Sequence, residues 1–172
     1  MFRFLGAVFL LLGTVGYSVC CCREMRERLL GLQEMKRMYE LLASQVGYCL
    51  AAVPEACRMV AQSMQPPFSG LLTAIFEEAE QNTGKPLPQI WEEQALDWFE
   101  QFPLNKEDKM FLTGFARSLG CADRELQEQA IDNQLAALSE KIGTLEAHRA
   151  EREKMIMSFG VMGGLLLVII LL

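Results

Sequence analysis

The sequence predicts an all-α protein, an antiparallel bundle of about six helices flanked by an N-terminal and a C-terminal transmembrane helix. Both ends of the 172-residue chain are charge-free apolar runs, whereas all 22 acidic residues lie between them. Between the runs, apolar residues recur at intervals of three and four, which is the period of a helix. No hairpin dipeptide flanked by alternating apolar residues occurs, so strands are not expected.

The two terminal runs predict membrane spans. Residues 4–22 and 155–172 each reach the length of about 17–20 apolar residues that a helix needs to cross the hydrocarbon core. We therefore divide the chain into an N-terminal span (1–22), a soluble domain (23–154) and a C-terminal span (155–172). Because the chain crosses twice, both termini lie on the same side of the membrane.

The flanking charges predict which side the domain occupies. Basic residues cluster beside the inner ends of the spans: Arg23, Arg26, Arg28, Lys36, Arg37, Lys141, Arg149, Arg152 and Lys154. Outside the spans only Arg3 is basic, and Lys and Arg favour the cytoplasmic side. The domain is therefore expected in the cytoplasm. A cleaved signal peptide is the alternative for the N-terminus, but the run exceeds the usual 7–15 residues and lacks a small-x-small cleavage site.

Composition excludes some partners. Residues 23–154 contain 15 basic and 22 acidic residues, so their formal charge is 15 − 22 = −7. An acidic domain is a poor nucleic-acid binder, because phosphates attract Lys and Arg. The six cysteines form no framework, since Cys20–Cys22 are consecutive and Cys49, Cys57 and Cys121 are isolated among apolar neighbours. We interpret them as small hydrophobic residues, with lipidation of Cys20–Cys22 as the alternative.

The spacing of apolar residues and the positions of prolines and polar stretches predict the first three helices. The first helix has one apolar seam: Leu32, Met35, Tyr39, Leu42, Val46 and Cys49. Pro54 is well placed to open the second helix, and Pro66-Pro67 is expected to end it. The third helix turns Leu71, Leu72 and Ile75 inward, and the polar stretch 82–86 ends it.

The fourth helix carries most of the aromatic residues and is expected to end at Pro103. Its stripe contains Leu87, Trp91, Ala95, Trp98 and Phe102, which we interpret as core, with a ligand cage as the alternative.

Capping residues and the spacing of apolar residues predict the last two helices. Asn105 is the expected N-cap of the fifth helix, Gly120 its C′ residue and Asp123 the cap of the sixth. The sixth helix repeats apolar residues at intervals of four and three, and no proline interrupts it before the C-terminus. It can therefore continue into the second span, and its seam can pair with that of the first helix as an antiparallel stalk.

Two residue sets are singled out. The predicted bundle core is Leu32, Met35, Tyr39, Leu42, Val46, Trp91, Trp98, Phe111, Phe115, Ile131, Leu135, Leu138, Ile142 and Leu145. Gly6, Gly13, Gly160 and Gly164 are candidates for close packing of membrane helices, against the other span or a second copy of the chain. Glycine is also common in membrane helices generally.

No pattern predicts catalysis. His148 is the only histidine and has charged neighbours, which is typical of a solvated helix face. The acidic clusters 77–80 and 92–93 lack the Glu-x-x-His pairs of a bundle metal site, and no phosphate-binding glycine loop occurs. We therefore predict a protein that is not an enzyme, with no catalytic residues, cofactor or metal.

Several stretches resemble the stage III sporulation protein AB family of endospore-forming bacteria. The matching stretches are Glu153–Leu172, Leu119–Gln127 with Ile131, Leu5–Ala7, Pro54–Cys57, Pro67–Ser69 and Trp91. The likeness spans the whole chain, and the C-terminal stretch is its most specific part. Cys20–Cys22 depart from the family pattern, as does Leu50–Val53, where the family usually has a Thr-Pro-Leu-like turn.

The resemblance implies a structural role. The family's cytoplasmic domain is similar to the F-type platform domains of type II secretion and pilus machines, which are antiparallel six-helix bundles. It implies a non-enzymatic platform in the channel complex between mother cell and forespore, in the bacterial cell membrane. The implied partners are the membrane, a secretion-type ATPase and other stage III sporulation proteins, with self-association as a further option. The alternative function is a membrane-tethered helical module for signalling or regulation.

Overall fold

The computed structural model describes residues 2–47, 52–81, 84–119 and 124–171. Within these ranges the chain forms helices and connecting turns with no strand, which confirms the all-α prediction. The helices are α1 (Phe2–Gly47), α2 (Val53–Ala61), α3 (Phe68–Glu80), α4 (Leu87–Trp98), α5 (Lys109–Leu119) and α6 (Arg124–Leu171). A short 3-10 turn, Phe99–Gln101, follows α4.

The chain divides into two compact units. Unit 1 comprises Met1–Leu29 and Gly143–Leu172, and unit 2 comprises Leu30–Ile142. The long helices α1 and α6 belong partly to each unit, so the predicted spans are continuous with the first and sixth helices of the domain. The absence of proline correctly predicted that α6 continues unbroken to the C-terminal run.

Within unit 1, several large apolar side chains of the described residues are exposed. They are Tyr17, Val19, Met155 and Met162. Across the part of the chain that the structure describes, no helix combines the length and the apolar character that a membrane crossing requires. Most side chains of the two terminal runs lie outside the described residues, so the spans stay predictions.

Unit 2 is organised around α1, α4 and α5. Buried apolar side chains come from every helix of this unit, and Trp91 and Tyr39 are the largest that are almost fully enclosed. Helix α3 packs between α2 and α4, and α4 packs on α5. Burial of a large apolar side chain contributes about 1.5–3 kcal/mol, so this core is the main source of the unit's stability.

Three helix ends differ from the sequence expectations. Helix α2 ends at Ala61 rather than at Pro66-Pro67, because Ser63 N–H bonds to Val60 O at 2.9 Å, the tighter i→i−3 pattern of a terminal turn. Helix α4 ends at Trp98 and continues as the 3-10 turn before Pro103.

The expected N-cap of the fifth helix at Asn105 is also wrong, since α5 begins at Lys109. The reason is that Asp108 takes over the local hydrogen bonding: its carboxylate Oδ2 accepts a bond from Asn105 N–H at 3.1 Å. The expected Gly120 and Asp123 caps lie outside the described residues.

Candidate functional site

Two aromatic side chains fasten α1 and α4 to the backbone of α5. The Tyr39 hydroxyl of α1 donates to Phe111 O at 2.8 Å, and Trp91 Nε1 of α4 donates to Leu112 O at 2.8 Å. The Phe115 ring stacks on Tyr39 with centroids 4.0 Å apart and lies 5.1 Å from Trp91. We call Tyr39, Trp91 and Phe115 the aromatic lock. Burial raises the pKa of Tyr39 well above its ordinary value, so its hydroxyl stays a donor.

Two glycines receive rings from the end of α4 and from the segment, residues 99–108, that links α4 to α5. A Cβ on Gly70 of α3 would lie 2.3 Å from Trp98 Cη2, and a Cβ on Gly31 of α1 would lie 3.0 Å from Pro103 Cγ. Between these two contacts, the Phe102 ring packs against Phe68 with centroids 4.7 Å apart. A methyl group on Gly70 would force the Trp98 ring to move, whereas one on Gly31 would require Pro103 to give by a few tenths of an ångström. The end of α4 therefore packs closely on α3, and the linking segment packs closely on α1.

The same linking segment also reaches α6. Lys141 Nζ lies 3.5 Å from Glu107 Oε2, and the neighbouring Asp108 is fully buried. An exposed ion pair of this kind contributes little, about 0–1 kcal/mol. Its position is the informative feature, because Lys141 is the penultimate residue of unit 2 on α6. Gly31 is likewise the second residue of unit 2 on α1, so the segment touches both long helices where they leave the unit.

A polar network joins α3 to the start of α4 on the surface. Lys85 Nζ lies 2.9 Å from Glu78 Oε1 and 2.5 Å from Glu93 Oε2, while Gln94 and Gln89 donate to the same two carboxylates. Hydrogen bonding to Lys85 lowers the pKa of both carboxyl groups, and the two carboxylates raise the pKa of Lys85. The charges of this network therefore pair with one another and hold α3 against α4.

Side chains capable of chemistry are dispersed. Cys57 is buried and desolvation raises the pKa of its thiol to about 12, whereas Cys20 and His148 are exposed. Cys49 and Cys121 lie outside the described residues. Among the residues that the structure describes, no three His, Cys, Asp or Glu side chains converge as a metal site would require.

The predicted core residues fall into two groups. Buried ones are Leu32, Met35, Tyr39, Leu42, Trp91, Phe115, Ile131, Leu138 and Ile142. Partly exposed ones are Val46, Trp98, Phe111, Leu135 and Leu145. These five lie at the margins of the seams, where a regular spacing assigns a residue to a stripe without fixing how deeply it lies.

The predicted membrane glycines are placed on the two long helices. Gly6 and Gly13 lie in α1, and Gly160 and Gly164 in α6. A Cβ on Gly13 would meet no atom within 4 Å, and the surroundings of the other three lie outside the described residues.

Sequence reasoning missed Gly31, Gly70 and Asp108. A glycine inside a helical pattern is a signal for close approach, and both Gly31 and Gly70 carried that signal. The sequence could not supply their partners, because Pro103 and Trp98 are distant along the chain. The burial of Asp108 had no sequence signal, since Asn-x-x-Asp before a helix is equally typical of an exposed turn.

These observations define a class: a small all-α protein whose polar groups and aromatic rings hold helices together. A family profile described as stage III sporulation protein AB matches residues 3–172. The stage III sporulation protein AB of Bacillus subtilis (strain 168) is 26% identical over 172 residues, covering all of both chains. A solved structure of a stage III sporulation protein AB superposes with a TM-score of 0.67 at 20% identity, covering 73% of this chain and 98% of that one.

The chain belongs to the stage III sporulation protein AB family, because the family profile covers nearly its whole length. The resemblance predicted from sequence is confirmed, and the solved relative shares the helical fold. The family profile and the Bacillus subtilis relative are both described as sporulation proteins.

Proposed function

We propose that this protein is a non-enzymatic platform subunit of the membrane channel complex between mother cell and forespore. The observation that carries the proposal is the family match from residue 3 to residue 172, which includes both charge-free terminal runs along with the helical unit. A platform needs a rigid body and an anchor, and it needs no reactive groups. Unit 2, with its aromatic lock, supplies the rigid body.

In this proposal the terminal runs anchor the chain in the mother-cell (outer forespore) membrane, with unit 2 in the cytoplasm and both termini on the opposite side. Half-exposed or exposed Tyr17, Val19, Met155 and Met162 support it, because large apolar side chains on a helix surface need a cover such as lipid. Open space beside Gly13 is compatible with a second helix packing there, from another subunit or another copy of the chain.

The proposed partner of unit 2 is the secretion-type ATPase of the same sporulation system. An acidic surface supports a charge-complementary contact: Glu92 and Glu100 are exposed along α4 and its 3-10 turn, and Glu77 and Glu80 are exposed on α3. Complementary charge mainly sets the association rate and the choice of partner. Docking should therefore weaken as the salt concentration rises.

The test uses the full-length protein in lipid nanodiscs and the purified ATPase. We expect saturable binding that one pair of charge reversals abolishes, either Glu92→Lys with Glu100→Lys or the matched pair Glu77→Lys with Glu80→Lys. Loss with one pair and retention with the other would map the docking face. No binding at concentrations far above cellular levels would refute ATPase docking.

The topology has its own test. In inside-out membrane vesicles, whose outer face is the cytoplasmic one, an added protease should cut unit 2 and spare a tag fused after Leu172. Protection of unit 2 together with loss of the tag would contradict the proposed orientation.

A further inference from the structure

Helix α6 contains a glycine for which packing gives no reason. Gly143 lies inside the 48-residue helix, is exposed, and a Cβ built on it would meet no atom within 4 Å. Glycine in a helix interior weakens the helix relative to alanine, because its backbone loses more freedom on folding. An alanine would fit here, so the fold itself does not require the weak position.

The position of Gly143 is specific. It is the first residue of α6 beyond unit 2, next to the buried Ile142 and two residues after Lys141, which contacts the α4–α5 linking segment. One turn earlier, the Ser139 hydroxyl donates to Leu135 O at 2.7 Å, a back-bond of the kind that bends helices. Sharp bends in helices concentrate where serine and glycine occur together.

Helix α1 provides the contrast. It also has a glycine at the border of unit 2, Gly31, but that glycine is buried and filled by the Pro103 ring at 3.0 Å from a built Cβ. Gly31 thus has a packing reason, whereas Gly143, at the border of unit 2 on α6, has none.

We propose that Gly143, with Ser139, is a pivot at which α6 bends, while α1 leaves unit 2 as a stiff rod. The device lets the C-terminal part of α6 change direction without disturbing the packed part before Ile142. Its physiological purpose rests on the proposed function: a platform that receives motion from an ATPase would pass it on through α6. The bending itself is a property of the isolated protein.

The first test measures the pivot directly in the full-length protein in nanodiscs. Hydrogen exchange of the amides after residue 143 should show protection factors about fivefold higher in Gly143→Ala than in the wild type, which corresponds to about 1 kcal/mol of helix propensity. Spin labels carried by unnatural amino acids at the exposed positions 132 and 154 span 22 residues, or about 33 Å of straight helix. The wild-type distance distribution should be broader and reach shorter values than that of Gly143→Ala.

Rescue separates a pivot from a merely structural residue. In Gly143→Ala with Ala147→Gly, a glycine returns one turn later at another exposed position. The distance distribution should broaden again, and spore formation in the native host should fall in Gly143→Ala and recover in the double variant. Equal distributions and equal protection in wild type and Gly143→Ala would overturn the pivot. Full spore formation by a measurably stiffened variant would overturn its physiological purpose.

Failure of the two proposals can be distinguished. If the wild type binds the ATPase but α6 does not bend, the pivot is refuted and the platform proposal stands. If α6 bends but no ATPase binds, ATPase docking is refuted and the pivot stands.

Discussion

Gly70→Ala is the substitution whose effect the structure defines most sharply. The new Cβ would lie 2.3 Å from Trp98 Cη2 and 2.5 Å from Cζ3, so the indole must move. Trp98 is partly exposed and can shift outward, at an overpacking cost of about 1–3 kcal/mol. Alanine returns up to about 1 kcal/mol of helix propensity in α3. We expect a net loss of about 1 kcal/mol in the free energy of unfolding.

The assay follows tryptophan fluorescence of the full-length protein in detergent during thermal or denaturant unfolding. Both tryptophans lie in unit 2, so the signal reports that unit. A loss of about 1 kcal/mol in a unit of this size lowers Tm by about 4 °C. The matched control is Gly143→Ala, where no atom obstructs the methyl group, and it should leave the unfolding midpoint of unit 2 unlowered.

A double-mutant cycle separates the steric overlap with Trp98 from the helix propensity that alanine adds to α3. In the Trp98→Ala background the obstruction is gone, so Gly70→Ala should become neutral or stabilising. The coupling free energy between the two positions should equal the overpacking term, about 1–3 kcal/mol. A coupling below about 0.5 kcal/mol, or a single Gly70→Ala variant as stable as the wild type, would refute the reasoning.

Three further predictions concern the buried and surface polar groups. Tyr39→Phe removes a donor to the α5 backbone and should lower the free energy of unfolding by about 1 kcal/mol, measured by denaturant unfolding; an unchanged midpoint would contradict a role for the hydroxyl. Lys85 holds the pKa of Glu93 below 4.5, so this pair stabilises the fold above that pH and loses its effect as the pH falls through the lowered value. Lys85→Met should therefore make the acid loss of stability below the ordinary pKa of Glu93 shallower, and an unaltered pH profile would count against the network. In a variant whose other cysteines are replaced by serine, the buried thiol of Cys57 should resist a thiol reagent at pH 8 until the protein unfolds; equal labelling rates before and after unfolding would be inconsistent with the burial.

The helical period determined most of what could be predicted. The seam of α1 and the leucines of α3 follow from spacing alone, because a residue three or four positions away shares a helix face whatever the tertiary structure. The long unbroken α6 followed equally from the absence of proline. Such properties are local, and local physics decides them.

The misses share a different cause. The start of α5 depended on whether the side chain of Asn105 or that of Asp108 would accept hydrogen bonds from the backbone before the helix. Both residue types are suited to that role. The close contacts at Gly31 and Gly70 depended on where Pro103 and Trp98 lie in the folded chain. These outcomes are set by long-range packing, which spacing along one helix does not encode.

For the candidate docking surface, the sequence predicts only that it carries an excess of negative charge. An excess of acidic residues indicates a surface that repels polyanions, but it does not say which carboxylates are already engaged. The structure shows Glu78 and Glu93 bound to Lys85, so the exposed Glu92 on α4 and Glu100 in the following 3-10 turn are better candidates for charge reversal.

The aromatic lock also has a consequence for how this sequence can diverge. Tyr39 and Trp91 bind to main-chain carbonyls of α5, and every amino acid at positions 111 and 112 presents the same carbonyl. The two hydrogen bonds of the lock therefore demand a tyrosine and a tryptophan from α1 and α4 but only a helical backbone from α5, whereas the ring stacking also demands Phe115. Relatives can exchange side chains such as the partly exposed Phe111 and keep the same junction, which is one way for a fold to persist when only a fifth to a quarter of the residues agree.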